Sequence, residues 1–217
     1  MKVLTPSKDR VEPKCPVARQ CGGCQIQEMR YEAQLAFKQK MVQNNLERIG
    51  GLSDFEMYPV IGMETPYAYR NKAQFPVGED KDGNIVIGFY AGRTHHIVEQ
   101  TDCCIGAPEN GEVLRKVKAY MQKNQIRPYN EEHHSGIVRH ILIRTGYHTK
   151  EIMVCLIVNA AKASCLKNAE QLTESLREMD GMTSVMVNFN TEKTNVILGK
   201  KSEVLWGQPY IEDLSAM

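Results

Sequence analysis

Apolar residues recur at Tyr31, Leu35, Val42, Leu46 and Ile49, spacings of 4, 7, 4 and 3 that predict a helix over residues 30–49. Gly50-Gly51 ends it, because glycine takes the left-handed cap conformation without steric penalty. From Tyr69 onward the period shortens. Ala73–Val77 and Ile85–Tyr90 read as strands around a turn at Asp82-Gly83-Asn84, and residues 95–100 add a third. A second helix is expected at 110–124, with Val113, Val117 and Tyr120 on one face. Arg139–Arg144 and Glu151–Asn159 read as a hairpin around Gly146. A third helix at 165–179 carries Leu166, Ala169, Leu172 and Leu176, and Thr183–Asn190 and Asn195–Leu198 close the pattern as strands. Helices alternating with hairpins predict an α+β fold: a mixed, largely antiparallel sheet with three helices. Residues 1–28, with three prolines and no sustained period, are expected to form an irregular cysteine-rich N-terminal loop.

With 217 residues, 42% of them hydrophobic, the chain can bury a real core. Its net charge of +1 marks no global affinity for nucleic acid, so any RNA contact must come from local clusters. No run of 18 apolar residues and no signal peptide is present, which leaves no membrane span and a cytoplasmic expectation.

Seven cysteines change the picture. An odd count without a secretion signal argues against a disulfide scaffold, since the cytosol keeps thiols reduced. The string Cys15-x5-Cys21-Gly22-Gly23-Cys24 places three in ten residues. A Cys-x2-Cys step lets two thiolates reach one centre, and the glycines let backbone N–H groups turn toward sulfur. Both Zn²⁺ and a [4Fe–4S] cluster require four ligands, and Thr101-Asp102-Cys103-Cys104 supplies the fourth. The residues alone leave zinc and iron–sulfur both open, with ordinary buried thiols as the bland reading; His95 and His96 are further zinc candidates. Cys155 reads as a small buried hydrophobe, and Cys165 as a structural residue heading a helix.

These residues resemble the iron–sulfur-containing RNA uracil-C5 methyltransferase family, in its bacterial 23S rRNA branch. The likeness rests on Cys15-x5-Cys21-Gly22-Gly23-Cys24-Gln25 and the helix Gln34–Gly50. Tyr69-Arg70-Asn71-Lys72, Gly88-Phe89-Tyr90, Asp102-Cys103 and Asn195-Val196-Ile197-Leu198-Gly199 follow in order, so it runs from about Arg10 to Asp213. The resemblance implies a 4Fe-4S cluster on Cys15, Cys21, Cys24 and Cys103, with Cys104 as the alternative fourth ligand. It implies three parts. Residues 1–28 are the remnant of an N-terminal RNA-binding barrel plus the cluster loop, 29–51 the helix that packs on a catalytic domain, and 52–213 the central RNA-contacting domain. Family members are roughly twice as long and end in a domain that binds S-adenosylmethionine. No glycine-rich strand-to-helix loop follows residue 200, and Leu214–Met217 leave the family pattern, so a truncated chain is expected, inactive alone and without catalytic residues. The face of the helix at 30–49 is then expected to be exposed or used for association.

Arg70 and Lys72 follow Tyr69 in an expected strand and share a face. With Arg93 they form a candidate RNA-binding patch, beside which Tyr67 or Tyr69 can stack on an unpaired base; the bland alternative is a solvated strand face. Arg139 and Arg144 read as a charged edge, and Lys200-Lys201 as a solvated turn. The expected partner is RNA, rRNA rather than tRNA, with no membrane. The rival function is a zinc-stabilised nucleic-acid-binding or adaptor module. A radical enzyme is disfavoured because Cys-x3-Cys-x2-Cys is absent.

Overall fold

The computed structural model describes residues 4–214. Helix α1 (Tyr31–Asn44) runs into a wider π turn at Asn45–Ile49. Strands β1 (Lys72–Glu79), β2 (Ile85–Tyr90) and β3 (Ile97–Glu99) form a meander, followed by α2 (Asn110–Lys123). Strands β4 (Val138–Thr145) and β5 (Ile152–Val158), helix α3 (Ala169–Arg177), and strands β6 (Met182–Phe189) and β7 (Lys201–Gly207) complete the chain. They form one seven-stranded sheet in the order β3-β2-β1-β4-β5-β6-β7. Neighbours pair antiparallel except β5 and β6, which are parallel. A parallel pair needs a crossover, and α3 provides it. The expected α+β architecture, its three helices and its largely antiparallel sheet are all present.

Helices α2 and α3 cover one face of the sheet. Val113, Leu114, Val117 and Met121 from α2, and Leu172 and Leu176 from α3, are fully buried against Phe75, Ile87, Ile141, Leu156 and Val185. Each such side chain contributes roughly 1.5–3 kcal/mol by leaving water. At the far edge, β3 approaches β2 so closely that a Cβ on Gly88 would lie 1.9 Å from the Val98 carbonyl oxygen. Only glycine allows that pairing.

The opposite face is covered by a loop instead of a helix. Residues 191–200 fold back so that Ile197 packs on Leu142, Cys155, Ile157 and Met186. Asn190 Nδ2 donates to the carbonyls of Val196 and Ile197 at 2.7 and 2.9 Å. Asn188 donates to Gly199 O and accepts from Gly199 N. Arg139, 5% exposed, donates to the carbonyls of Asn190, Glu192 and Thr194 and stacks on Tyr129. Arg139 is therefore a buried tie, not the charged edge its sequence context suggests.

This tied loop overturns one expectation. Asn195–Leu198 is no strand, because asparagine side chains capture the backbone groups a strand would need. The last strand starts at Lys201, where a solvated turn is expected from sequence. The third helix is also shorter than 165–179. Cys165 closes a 3₁₀ turn (Ala163–Cys165), and Asn168 takes a left-handed φ of 52° that blocks helical continuity before Ala169. Tyr69 and Arg70 precede β1, which begins at Lys72. The barrel remnant expected in residues 1–28 begins outside the described residues; inside them Arg10 forms an isolated bridge with Met29. Of the departure expected at 214–217, only Leu214 is described. Among the described residues no helix is long and apolar enough to cross a membrane.

A register shift between Val138 and His140 turns His140 onto the open face, where it is 8% exposed. Burial, aided by the Arg139 cation and opposed by Glu131, lowers its pKa to about 4. Its unfolded value is near 6.5, so between these limits the unfolded chain binds more protons and stability falls as pH falls. Acidification from pH 6.5 to 4 is expected to remove on the order of 3 kcal/mol through this residue. Urea titrations across that range should show the loss in the wild type and a flatter profile in His140→Gln.

Candidate metal centre

The N-terminal loop has little regular structure, so side chains and single hydrogen bonds hold it. Arg10 and Arg19 both pair with Glu28, at 2.7 and 2.6 Å, and Arg30 pairs with Asp9. Val11 N donates to Glu28 O and Arg30 N to Asp9 O. Exposed pairs are individually worth little, but this network shares residues and closes both ends of the loop.

The loop then docks on the β2–β3 turn. Gly22 N donates to Tyr90 O at 2.9 Å, and Cys21 forms an isolated bridge with Ala91. The fit is tight, since a Cβ on Gly22 would meet Gly92 and Tyr90 O at 3.1 Å. The segment after β3 approaches from the other side: Ala68 N donates to Cys104 O and Arg70 N to Ile105 O.

These contacts converge on a small enclosed cavity lined by Cys15, Cys21, Cys24, Cys103 and Cys104, with Arg70 and Phe89. The four cysteines expected as ligands, and the alternative one, thus face one space. N–H groups point at the sulfurs. Gly23 N lies 3.3 Å from Cys21 Sγ, Gln27 Nε2 3.5 Å from Cys104 Sγ and 3.7 Å from Cys24 Sγ, and Gln100 Nε2 3.8 Å from Cys15 Sγ. Gln27 also fixes the loop by accepting from Cys15 N at 2.9 Å. Gln27 and Gln100 were not singled out in the sequence, where an isolated glutamine carries no signal.

The thiols also repel one another as thiolates. Burial raises the Cys24 pKa, Cys103, Cys104 and Cys21 raise it further, and Arg70 opposes them. Burial likewise raises Cys104, with Cys15 and Cys103 adding to it and Gln27 and Lys14 opposing. Crowded thiols of this kind hold charge only when cations join them. Among the described residues no three His, Cys, Asp or Glu side chains are arranged around a single metal ion.

The other cysteines lie elsewhere. Cys155 is buried beneath Ile197, and burial pushes its thiol up to about 12. Cys165 packs at the edge of the helix-side core. His95 is in a different cavity, paired with Glu131.

The basic residues separate. Arg70 lines the cysteine cavity, and Arg93 is exposed in the turn after β2 with φ 62°. Lys72 is exposed at the start of β1, directly across from exposed Arg144 of β4. Like charges in register weaken a sheet unless an anion lies over them. Tyr69 is 49% exposed, and Lys14 sits 4.4 Å from the Tyr67 ring centroid. Helix α1 has no buried residue; Phe37, Met41, Val42 and Ile49 are exposed, while Tyr31 accepts a hydrogen bond from Met63 N.

No family model matches the chain. It is 45% identical over 214 residues to a Halalkalibacterium halodurans protein named an uncharacterized RNA methyltransferase, covering 98% of this chain and 46% of that protein. A Clostridium tetani protein of the same name is 42% identical, with 98% and 45% covered. The chain therefore spans about half the length of the curated relatives it matches. Among solved structures it matches Pyrococcus abyssi tRNA (uracil-54, C5)-methyltransferase in complex with S-adenosyl-L-homocysteine. That match has a TM-score of 0.73 and 25% identity, over 98% of this chain and 45% of that one. The relatives are RNA methyltransferases by name, and the fold resembles part of the matched tRNA uracil-C5 methyltransferase.

The docking of the loop gives a paired test. Gly22→Val is expected to cost roughly 1–3 kcal/mol by overpacking against the β2 end. Gly92→Ala, whose Cβ would meet nothing within 4 Å, should stay within about 0.5 kcal/mol of wild type. Thermal melts of the two variants check this.

Proposed function

We propose that this chain is the iron–sulfur and RNA-binding portion of an S-adenosylmethionine-dependent RNA uracil-C5 methyltransferase. The observation that carries the reading is the convergence of Cys15, Cys21, Cys24, Cys103 and Cys104 on one enclosed cavity. It joins a sequence likeness to RNA methyltransferases across almost the whole chain. Cys15, Cys21, Cys24 and Cys103 hold a [4Fe–4S] cluster, and Gln27, Gln100 and Gly23 N–H stabilise the sulfur charge. A single zinc ion would draw its four sulfurs to about 3.8 Å of one another, given Zn–S bonds of about 2.3 Å. Cluster ligands bind separate iron corners and stand farther apart. The sequence likeness to an iron–sulfur-containing methyltransferase family favours the cluster over the zinc module.

The cluster's contribution is structural: it fastens the 15–24 loop to residue 103 and so fixes the surface around Tyr69. Methylation at uracil C5 needs a thiolate to add at C6, a methyl donor and a base for the C5 proton. Cys155 is buried beneath Ile197 with its pKa pushed up, so it cannot serve as that thiolate. RNA lies along the exposed Lys72–Arg144 pair, with Tyr69 stacking on an unpaired base and Arg93 at the margin. The sequence resemblance favours rRNA, the matched solved enzyme acts on tRNA by its name, and competition between the two RNAs decides.

Two outcomes follow. Cys21→Ser should lose bound metal and melt well below the wild type, because ligand loss removes binding energy coupled to folding; full metal content with an unchanged melt contradicts the reading. Lys72→Ala with Arg144→Ala should weaken binding of a single-stranded RNA and lower its salt slope by roughly 1.4, about 0.7 per lost phosphate contact. An unchanged slope removes this face from the RNA path.

A further inference from the structure

A cavity of about 480 Å³ lies at the β1–β2 end of the open face, separate from the cysteines. Val77, Val86 and Ile97 supply apolar lining. Tyr90 and His95 form a stacked pair, ring centroids 5.2 Å apart, and Glu131 ties them, 2.5 Å from His95 Nδ1 and 3.4 Å from Tyr90 Oη. His140 lines the same cavity. It is 8% exposed, its Nδ1 is fully enclosed without a hydrogen-bond partner, and none of its ring atoms is hydrogen-bonded to the protein. Nδ1 is enclosed by protein, so a ligand in the cavity meets the ring at its other edge.

Charge narrows what could enter. The carboxylates of Glu131, Glu132, Asp80 and Glu79 line the space and repel a phosphate. The Arg139 guanidinium, 4.4 Å from the Tyr129 ring centroid at the inner wall, offsets only part of that negative charge. A flat molecule with donors for the carboxylates and a face for the aromatic wall suits this lining. Guanine meets the description: its adjacent N1–H and N2–H donors match the two oxygens of a carboxylate, which can accept beyond the bonds Glu131 already makes. Its face suits an aromatic and imidazole platform.

We propose that this cavity receives one unstacked guanine base of the bound RNA, its edge held by Glu131 and His140 and its face by the Tyr90–His95 pair. The proposal rests on the RNA-binding reading above. Phosphate and ribose stay outside the cavity, while the base is read inside.

The test follows the ring signals of the six histidines by NMR during titration with guanosine monophosphate, assigned through single histidine substitutions. Saturable shifts confined to His95 and His140 are expected. Ribose 5-phosphate should produce none, and uridine monophosphate weaker ones. Glu131→Ala and, separately, His95→Ala should each weaken the guanosine effect roughly tenfold while leaving the melt unchanged. Absence of shifts, equal shifts with ribose 5-phosphate or uridine monophosphate, or wild-type affinity in both variants overturns the guanine site. RNA binding through Lys72 and Arg144 is read in a separate assay, so the cavity can fail while the RNA reading stands. Loss of salt-dependent RNA binding with intact guanosine shifts would instead sink the RNA reading alone.

Discussion

Crowded thiols set the terms for the rest of this molecule. Two segments nearly eighty residues apart bring five cysteines around one cavity, where burial and neighbouring thiols both oppose ionisation of Cys24 and Cys104. Everything near them serves that approach: the Glu28 network closes the loop, Gly22 lets it dock on Tyr90, and Ala68 and Arg70 pair with the turn at 104–105. A loop of 15–24 without helix or strand has too few backbone hydrogen bonds to hold itself. The proposed cluster supplies the missing cohesion, since a polycation shared among thiolates turns their repulsion into attraction.

The sheet gives that centre a rigid base and divides the work between its faces. Helices α2 and α3 bury the apolar side. The other side stays polar at its margins, and the asparagine-tied loop at 191–200 covers only its middle. Lys72 and Arg144 are left in register at one end, and the Tyr90–His95–His140 cavity at the other. Buried Arg139 joins the two halves, saturating three loop carbonyls, while burial, aided by its charge, keeps His140 neutral.

Much of this was legible in the residues. The periods of α2 and the two hairpins survive folding because apolar spacing decides which face is buried, and core contacts enforce it, whereas α1 forms where its period places it with no residue buried. The cysteine set was legible from spacing plus the Asp102-Cys103 element. What failed had local causes. Asn188 and Asn190 converted an apparent strand at 195–198 into a loop, and a left-handed Asn168 cut the third helix short. Arg70 was expected to share a strand face with Lys72, but it precedes the strand and lines the cysteine cavity. Gln27, Gln100 and the His140 cavity left no sequence signal, because each depends on neighbours far along the chain.

The measurement that tests the central claim most directly is iron, zinc and acid-labile sulfide content of anaerobically purified protein, with its visible spectrum. The account predicts about four irons and four sulfides per chain and a broad brown absorption. One zinc per chain, colourless and without sulfide, would contradict it and make the cysteine cage the centre of a zinc-stabilised module.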